Sequence, residues 1–166
     1  MIAQKGNIFV TILILILIAG GIFGVYKLSL ESLPGQFLYP IKAELENLRL
    51  ATTELSRVKR ALIYIDFANE RLDEAEILSE KGKNPDKIIQ VLHKFLNNVQ
   101  LAVETTKKET ARVEDSAQVF EQLKILREKQ EVLLTRILEK TSDPQFYEVL
   151  DIKNQAMEVL NEYNLR

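Results

Sequence analysis

Six carboxylates at helical spacing form the largest group of side chains in this sequence that could support chemistry. They are Asp66, Glu70, Asp73, Glu74, Glu76 and Glu80. Such a group could attract Ca²⁺ or Mg²⁺, but calcium sites commonly take their oxygen ligands from a loop. Arg71 and Lys81 stand among these acids, which is typical of a solvated helix face. We therefore predict no metal site on this segment.

His93 is the only histidine and the natural candidate for a general base. A catalytic histidine needs a nucleophile or an orienting carboxylate beside it. His93 lies between Leu92 and Lys94, off the apolar stripe of its segment, so we expect it at the surface. A di-iron bundle would need two Glu-x-x-His pairs, and a single histidine with glutamine three residues before it cannot supply them.

Composition excludes several further classes of function. The chain has no cysteine, which rules out disulfides, zinc–thiolate sites, iron–sulfur clusters and thiol catalysis. It has no glycine-rich phosphate loop, nucleophile elbow or His-Glu-x-x-His run. The net charge is −2 and acids outnumber bases after residue 30, whereas nucleic acid binding needs a basic surface. We predict no catalytic, cofactor-binding or metal-binding residue, no cofactor, no enzymatic activity and no nucleic acid partner.

Apolar residues three and four apart, with few breakers after Pro40, predict helices that could position these side chains. Cap-plus-proline pairs mark two helix starts. The five expected helices cover about 41–51, about 54–80, a segment from Asn84–Pro85, a segment from Asp115–Ser116 and a segment from Asp143–Pro144. The polar stretch 104–112 could be a protruding helical end or a bend. Alternatively, the third and fourth helices could be one long rod. Short connections predict an all-α, up-and-down antiparallel bundle of four to five helices.

Each expected helix has an apolar face that we assign to the core. The assigned residues are Leu45, Leu48, Val58, Ala61, Ile65, Ala68, Leu72, Ala75, Ile88, Ile89, Leu92, Phe95, Leu96, Val99, Ala102, Val103, Val119, Phe120, Leu123, Leu126, Leu133, Ile137, Phe146, Val149, Leu150, Met157 and Leu160.

An uncharged stretch from Ile8 to Tyr26 precedes this region. As a helix it would span about 28 Å, close to the ~30 Å hydrocarbon core of a bilayer. It has no polar stripe that could face water, so we predict that lipid receives it. The expected organisation is a cytoplasmic leader (1–7), a transmembrane signal-anchor helix (8–28), a linker (29–40) and an extracytoplasmic helical bundle (41–166).

The flanking charges predict the orientation of this helix. The N-terminal amine and Lys5 precede it, while Lys27 and then Glu31 follow it. The positive-inside rule places the N-terminus in the cytoplasm, and an N-terminal apolar segment usually directs export. The expected location is therefore the cytoplasmic membrane, in a single pass, with the N-terminus inside and the C-terminal domain outside.

Three fates remain open for the segment. It could stay uncleaved as an anchor, or be cleaved after the small-x-small run Ala19-Gly20-Gly21. It could also be processed after Lys5-Gly6, because a short leader before an unbroken apolar helix resembles type IV pilin precursors, although Thr11 replaces their usual glutamate. Membrane lipid is the expected partner of residues 8–26. Gly20 and Gly24 could pack two such helices together, so a homo-oligomer or another protein partner is also expected.

Two motifs carry a resemblance to a known family. The first is Leu33-Pro34-Gly35-Gln36-Phe37-Leu38-Tyr39-Pro40-Ile41-Lys42, and the second is residues 67–75, with the sequence Phe-Ala-Asn-Glu-Arg-Leu-Asp-Glu-Ala. A third, weaker motif lies at residues 131–140. Over about residues 33–160 the chain resembles an uncharacterised prokaryotic family of membrane-anchored helical proteins, classified as a domain of unknown function. Gln130 stands where family members often have histidine. The resemblance implies a helical extracytoplasmic domain and no activity.

The motifs also allow a physical interpretation. Leu38 and Tyr39 could dock onto the bundle while Pro40 starts a helix, and Arg71 could form a partly buried ion pair with a nearby acid. The function expected first is a membrane-tethered, non-enzymatic interaction or scaffold module of the cell envelope. The alternatives are a ligand-sensing or regulatory helical domain and a type IV pilin-like filament subunit processed after Gly6.

Overall fold

The computed structural model describes residues 3–52, 56–107, 113–142 and 144–164, with side chains given except for 3–9, 113–116, 163 and 164. Within these ranges the regular structure is entirely helical. The helices are α1 (Ala3–Leu30), α2 (Tyr39–Ala51), α3 (Arg57–Glu80), α4 (Pro85–Lys107), α5 (Val113–Lys140) and α6 (Gln145–Asn164). The chain divides into two compact units, Met1–Leu48 and Arg49–Arg166. The predicted all-α fold is confirmed.

In the first unit, α1 continues well past the uncharged stretch, because Lys27, Leu28 and Ser29 also favour or tolerate helix. The region expected as a linker is mostly hydrogen-bonded. The backbone N–H of Ser32 donates to the Ser29 carbonyl over 3.1 Å, and the N–H of Gln36 donates to the Leu33 carbonyl over 3.0 Å. Gly35 has a φ of 88°, which a residue with a Cβ rarely adopts. Pro40 then lies in the first turn of α2, as predicted.

In the second unit, α3 begins at a capping serine rather than near Glu54, which lies outside the described residues. The Ser56 side chain accepts a hydrogen bond from the Lys59 N–H at 3.4 Å, as an N-cap does. At its other end, Gly82 has a φ of 58°. The N–H of Lys83 donates to the Leu78 carbonyl over 3.0 Å, which makes a Schellman stop.

Two further helices, α4 and α6, begin at or directly after a proline, as predicted. Asn84 Oδ1 accepts from the Asp86 N–H at 2.9 Å, and α4 begins at Pro85. α6 begins at Gln145, directly after Pro144. The cap expected at Asp143 lies outside the described residues.

The second unit is built from two helical hairpins. Short connections join α3 to α4 and α5 to α6, and each of these pairs packs side by side. Across the hairpins, α3 packs on α5 and α4 packs on α6. The ion pairs Asp73–Lys129 and Glu76–Arg136 show that α3 and α5 run parallel, because the residue numbers rise together. Successive helices therefore alternate in direction, and α4 and α5 cannot be one rod.

The core lies between these four helices and follows the predicted stripes closely. Every residue assigned to α4 is buried, and so are Ile65, Leu72 and the three alanines of α3. Two assignments were wrong: Phe120 is 40% exposed and Leu48 is 58% exposed. Val58, Phe146, Leu150 and Met157 are only half-buried, and Leu45 is too. On α6 the buried stripe is instead Val149, Ile152, Ala156 and Leu160.

Candidate functional site

The largest chemically distinctive surface belongs to α1. Its residues Val10–Leu30 form a segment long and apolar enough to cross a membrane, and none of it is buried in the protein. Its large apolar side chains lie on every side of the helix, and their exposed fractions range from 40% at Leu30 to 67% at Ile22. Soluble proteins rarely expose so large an apolar surface. The predicted N-terminal helix of membrane-spanning length is therefore confirmed.

The glycines of α1 leave part of this surface bare. A Cβ added at Gly20, Gly21 or Gly24 would meet nothing within 4 Å. These positions are therefore open to close approach by another helix, which is the geometry that a Gly-x-x-x-Gly pair requires.

A buried ion pair lies in the second unit. Arg71 and Glu74 are three residues apart on α3, a spacing that places both on one face of a helix. Arg71 Nη1 donates to Glu74 Oε1 at 2.6 Å, and each side chain is only 5% exposed. The predicted ion pair of Arg71 is confirmed, and it is more deeply buried than expected. Two charges removed from water are stable only when they are paired.

A buried amide lies on the neighbouring helix. Gln130 on α5 is fully buried, and neither its Oε1 nor its Nε2 has a hydrogen-bond partner among the residues that the structure describes. It directly follows Lys129, which pairs with Asp73 at 2.7 Å, just as Glu74 follows Asp73. Gln130 and the Arg71–Glu74 pair therefore lie at the same level of the bundle. An unpartnered buried amide is costly, so this position invites a water molecule or another polar group.

Most of the acids considered first as a metal site pair with basic side chains. Asp66 accepts from Arg49 at 2.5 Å, Asp73 pairs with Lys129, and Glu76 pairs with Arg136 at 3.0 Å. Arg49 also lies over the Phe67 ring, with its guanidinium carbon 5.7 Å from the ring centroid. Glu70 is half-buried and Glu80 is exposed. No three acids or histidines of the described residues gather closely enough to hold a metal ion.

His93 lies at the surface, as expected, with 56% of its side chain exposed. Its Nε2 is 3.0 Å from Glu148 Oε1, so the structure does place a carboxylate beside it. The pair joins α4 to α6. Lys107 and Glu162 form a second bridge between the same helices at 3.1 Å. The two bridges are separated by the same number of residues on α4 as on α6, so both link the two helices in the same register. This favours a structural role for His93.

One surface depression lies along α6 and is open to solvent. It is lined by Asn154, Met157, Glu158, Asn161 and Glu162. A ligand site usually encloses its ligand and brings polar groups together from several elements. This shallow face of one helix lacks both features, so it is a weaker candidate than the buried polar residues.

Sequence reasoning missed the burial of several polar residues, among them Gln130 and Lys42. Gln130 falls on the stripe Leu123, Leu126, Leu133, Ile137 of α5, at the position midway between Leu126 and Leu133. Lys42, in the first motif, is 4% exposed and interacts within the protein. A polar residue at a core register position was the signal in the first case.

The model of a family described as Domain of unknown function (DUF5667) matches residues 31–164. No curated protein and no solved structure matches the chain.

Proposed function

The chain belongs to this family of unknown function, and on that premise we propose that it is a membrane-tethered, extracytoplasmic helical module that binds other cell-envelope proteins and performs no catalysis. The observation that carries the proposal is the uncovered apolar surface of α1 in a chain whose second unit has its own buried core. An exposed apolar helix is unfavourable in water, whereas a bundle that buries its own apolar residues is stable there. We therefore expect α1 to lie in lipid and the bundle to lie in water.

The charges around α1 support the orientation. Lys27 is the only basic residue in the last turn of α1, and Glu31 follows it on an exposed turn. Export of the C-terminal region requires that few positive charges follow the helix closely. The bundle would then lie outside the cytoplasmic membrane, with residues 1–7 inside.

The polar surface of the bundle supports a binding role in place of a catalytic one. Several of its titratable side chains form bridges between helices, such as Glu76–Arg136 and His93–Glu148. Between the charges, α5 exposes two apolar residues seven positions apart, Ile125 at 49% and Val132 at 51%. This spacing places them on one side of the helix, where a partner could cover them.

Extraction of membranes with alkaline carbonate tests the tether. The full-length chain should remain with the membrane pellet and dissolve only in detergent. Its recovery as a detergent-independent monomer would rule out the proposal.

Affinity capture of the tagged full-length chain in mild detergent, with mass spectrometry, tests the binding role. One or more envelope proteins should be enriched over a control single-span protein. The variant Ile125→Lys/Val132→Lys, which alters exposed residues only, reports whether the exposed face of α5 contacts them. A chain that purifies alone at every detergent concentration contradicts the binding role.

A second candidate function, ligand sensing, is favoured by Gln130. Bundles bind small molecules between their helices, and an unpartnered buried amide is a group that a polar ligand could satisfy. A thermal-shift screen with envelope metabolites and metal ions tests this candidate. A ligand that stabilises the chain but not the Gln130→Leu variant would support it, and no hit would remove it.

The pilin-like alternative depends on cleavage after Gly6. The mass of the mature N-terminus decides it, because a chain beginning at Asn7 would establish processing and an intact Met1 would exclude it.

A further inference from the structure

Phe37 has the most exposed large apolar side chain of the described residues, at 93%. It lies in the connection between α1 and α2, within the first unit. A phenylalanine ring gains more from burial than most side chains do, and here almost none of that gain is realised within the protein.

The backbone around Phe37 is held in place. The N–H of Leu33 donates to the Gln36 side-chain oxygen over 2.7 Å, and the N–H of Tyr39 donates to the Gln36 carbonyl over 3.1 Å. Leu33 is itself 7% exposed. Phe37 therefore projects from an ordered turn and not from a loose loop.

This turn stays close to the end of α1. Each hydrogen-bonded turn brings its end residues within about 7 Å of each other, and two such turns link Ser29 to Gln36. The segment Val10–Leu30 spans about 32 Å as a helix, so Leu30 would lie where the ~30 Å hydrocarbon core ends. Tyr26, 42% exposed, lies on the last turns of α1, where membrane helices commonly carry aromatic residues.

We propose that the turn at residues 31–38 lies in the headgroup layer and that Phe37 inserts its ring into the adjoining acyl-chain boundary of the bilayer that holds α1. This inference rests on the proposed function, because it requires α1 to be in lipid. Ile41, one helical turn after Phe37 and 38% exposed, extends the contact. Lipid is favoured over a protein partner because the turn adjoins the membrane segment directly. One ring and part of an isoleucine also fall far short of a standard protein interface.

The contact would give the tether a defined angle at the membrane surface. A single helix leaves the attached turn free to lift from the bilayer, whereas a second apolar contact seven residues later holds the turn down.

The chain has no tryptophan, so single-tryptophan variants report on one position each. Phe37→Trp and Phe23→Trp are reconstituted at full length into phosphatidylcholine vesicles with bromine on the acyl chains, either near the headgroup or near the terminal methyl. N-acetyltryptophanamide with the same vesicles gives the emission of a ring in water. Phe37→Trp should lose about half its emission with bromine near the headgroup, because an interfacial ring contacts only the upper acyl chain. Phe23→Trp should be quenched more by the deeper bromine.

The two variants separate the inference from the proposed function. Quenching of Phe23→Trp with water-like emission of Phe37→Trp would overturn the inference and leave the tether intact. No quenching of either variant would overturn both. A blue-shifted but unquenched Phe37→Trp would mean that protein covers the ring, which also overturns the inference.

A second probe avoids the preference of tryptophan for interfaces. The chain has no cysteine, so Phe37→Cys can be spin-labelled at one site. Its label should collide more often with oxygen, which concentrates in lipid, than with a nickel chelate in water. The reverse order would contradict lipid contact.

Discussion

Arg71 and Glu74 form a charged hydrogen bond of 2.6 Å inside the bundle, with both side chains 5% exposed. The two residues belong to one helix, so the pair does not by itself join two elements. Their burial means that each charge needs compensation from within the protein, because little water reaches either, and the hydrogen bond between them supplies part of it.

Removing one member of this pair should therefore cost more than removing a surface bridge. We expect Arg71→Met to lower the free energy of unfolding by about 3–5 kcal/mol, since it removes one partner of a buried ion pair and leaves the Glu74 carboxylate buried. Urea denaturation measures the loss. The control is Arg136→Met, which breaks a bridge to Glu76 in which the arginine side chain is 59% exposed. That change should cost less than about 1 kcal/mol, and equal losses for the two variants would contradict the assigned role.

Replacing Gln130 with an apolar residue should stabilise the bundle, whereas replacing Arg71 should destabilise it. Because its buried amide has no partner in the part of the chain that the structure describes, we expect Gln130→Leu to raise the free energy of unfolding by about 1–3 kcal/mol. The reverse change at an equally buried site of the same helix, Leu134→Gln, should lower it by about 1–3 kcal/mol. A loss of stability in Gln130→Leu would show that water or a ligand satisfies the amide in solution.

Gly82 is the position where backbone conformation should matter most. Its φ of 58° lies in the left-handed region, and a Cβ there would meet no neighbouring atom. We expect Gly82→Ala to destabilise the chain by about 1–2 kcal/mol through backbone strain alone. Gly82→Asn should cost less, because asparagine tolerates this conformation. Thermal unfolding of the two variants compares them, and an alanine variant as stable as the parent would mean that the turn rearranges freely.

Charges placed in the middle of α1 should prevent its insertion. Leu17 and Ile18, 66% and 53% exposed, lie near the midpoint of the apolar segment. An aspartate at the centre of a membrane helix costs about 2.5–3.5 kcal/mol, so Leu17→Asp/Ile18→Asp should release the chain from carbonate-washed membranes. Leu17→Ala/Ile18→Ala changes the same residues without adding charge and should remain in the pellet. Retention of the aspartate variant would argue against a membrane-spanning α1.

The fold was largely predictable because strong local signals mark its helices. Gly82, Asn84–Pro85 and Pro144 interrupt long apolar periodicities, and the structure begins or ends helices at these points. The core stripe of α4 was predicted nearly completely, since its apolar residues are bordered by clearly polar neighbours, and only the apolar Val91, which is also buried, was missed. Phe120 was assigned wrongly because it adjoins the buried Val119, and it lies at the edge of the apolar stripe of α5, where its side chain stays 40% exposed.

The polar interior was predicted less well. Periodicity identifies apolar residues, so it passes over a glutamine at a core register position such as 130. The Arg71–Glu74 pair was expected because opposite charges stood near each other, but its depth depends on which helices pack against α3. That arrangement is decided by tertiary contacts between α3 and α5, far apart in sequence.

The two hairpins pack against each other through α3 on α5 and through α4 on α6, and the two helices of each of these pairs run parallel. Among the described residues, Asp73–Lys129 and Glu76–Arg136 join α3 to α5, and His93–Glu148 and Lys107–Glu162 join α4 to α6. Most of the side chains involved are at least partly exposed, so added salt screens their attraction while the apolar contacts inside each hairpin are left unweakened. The α3–α4 hairpin has the most extensive packing of the bundle, which makes it a natural cooperative unit of local opening. Amide hydrogen exchange at high ionic strength should therefore accelerate more in α5 and α6, while α3 and α4 exchange together.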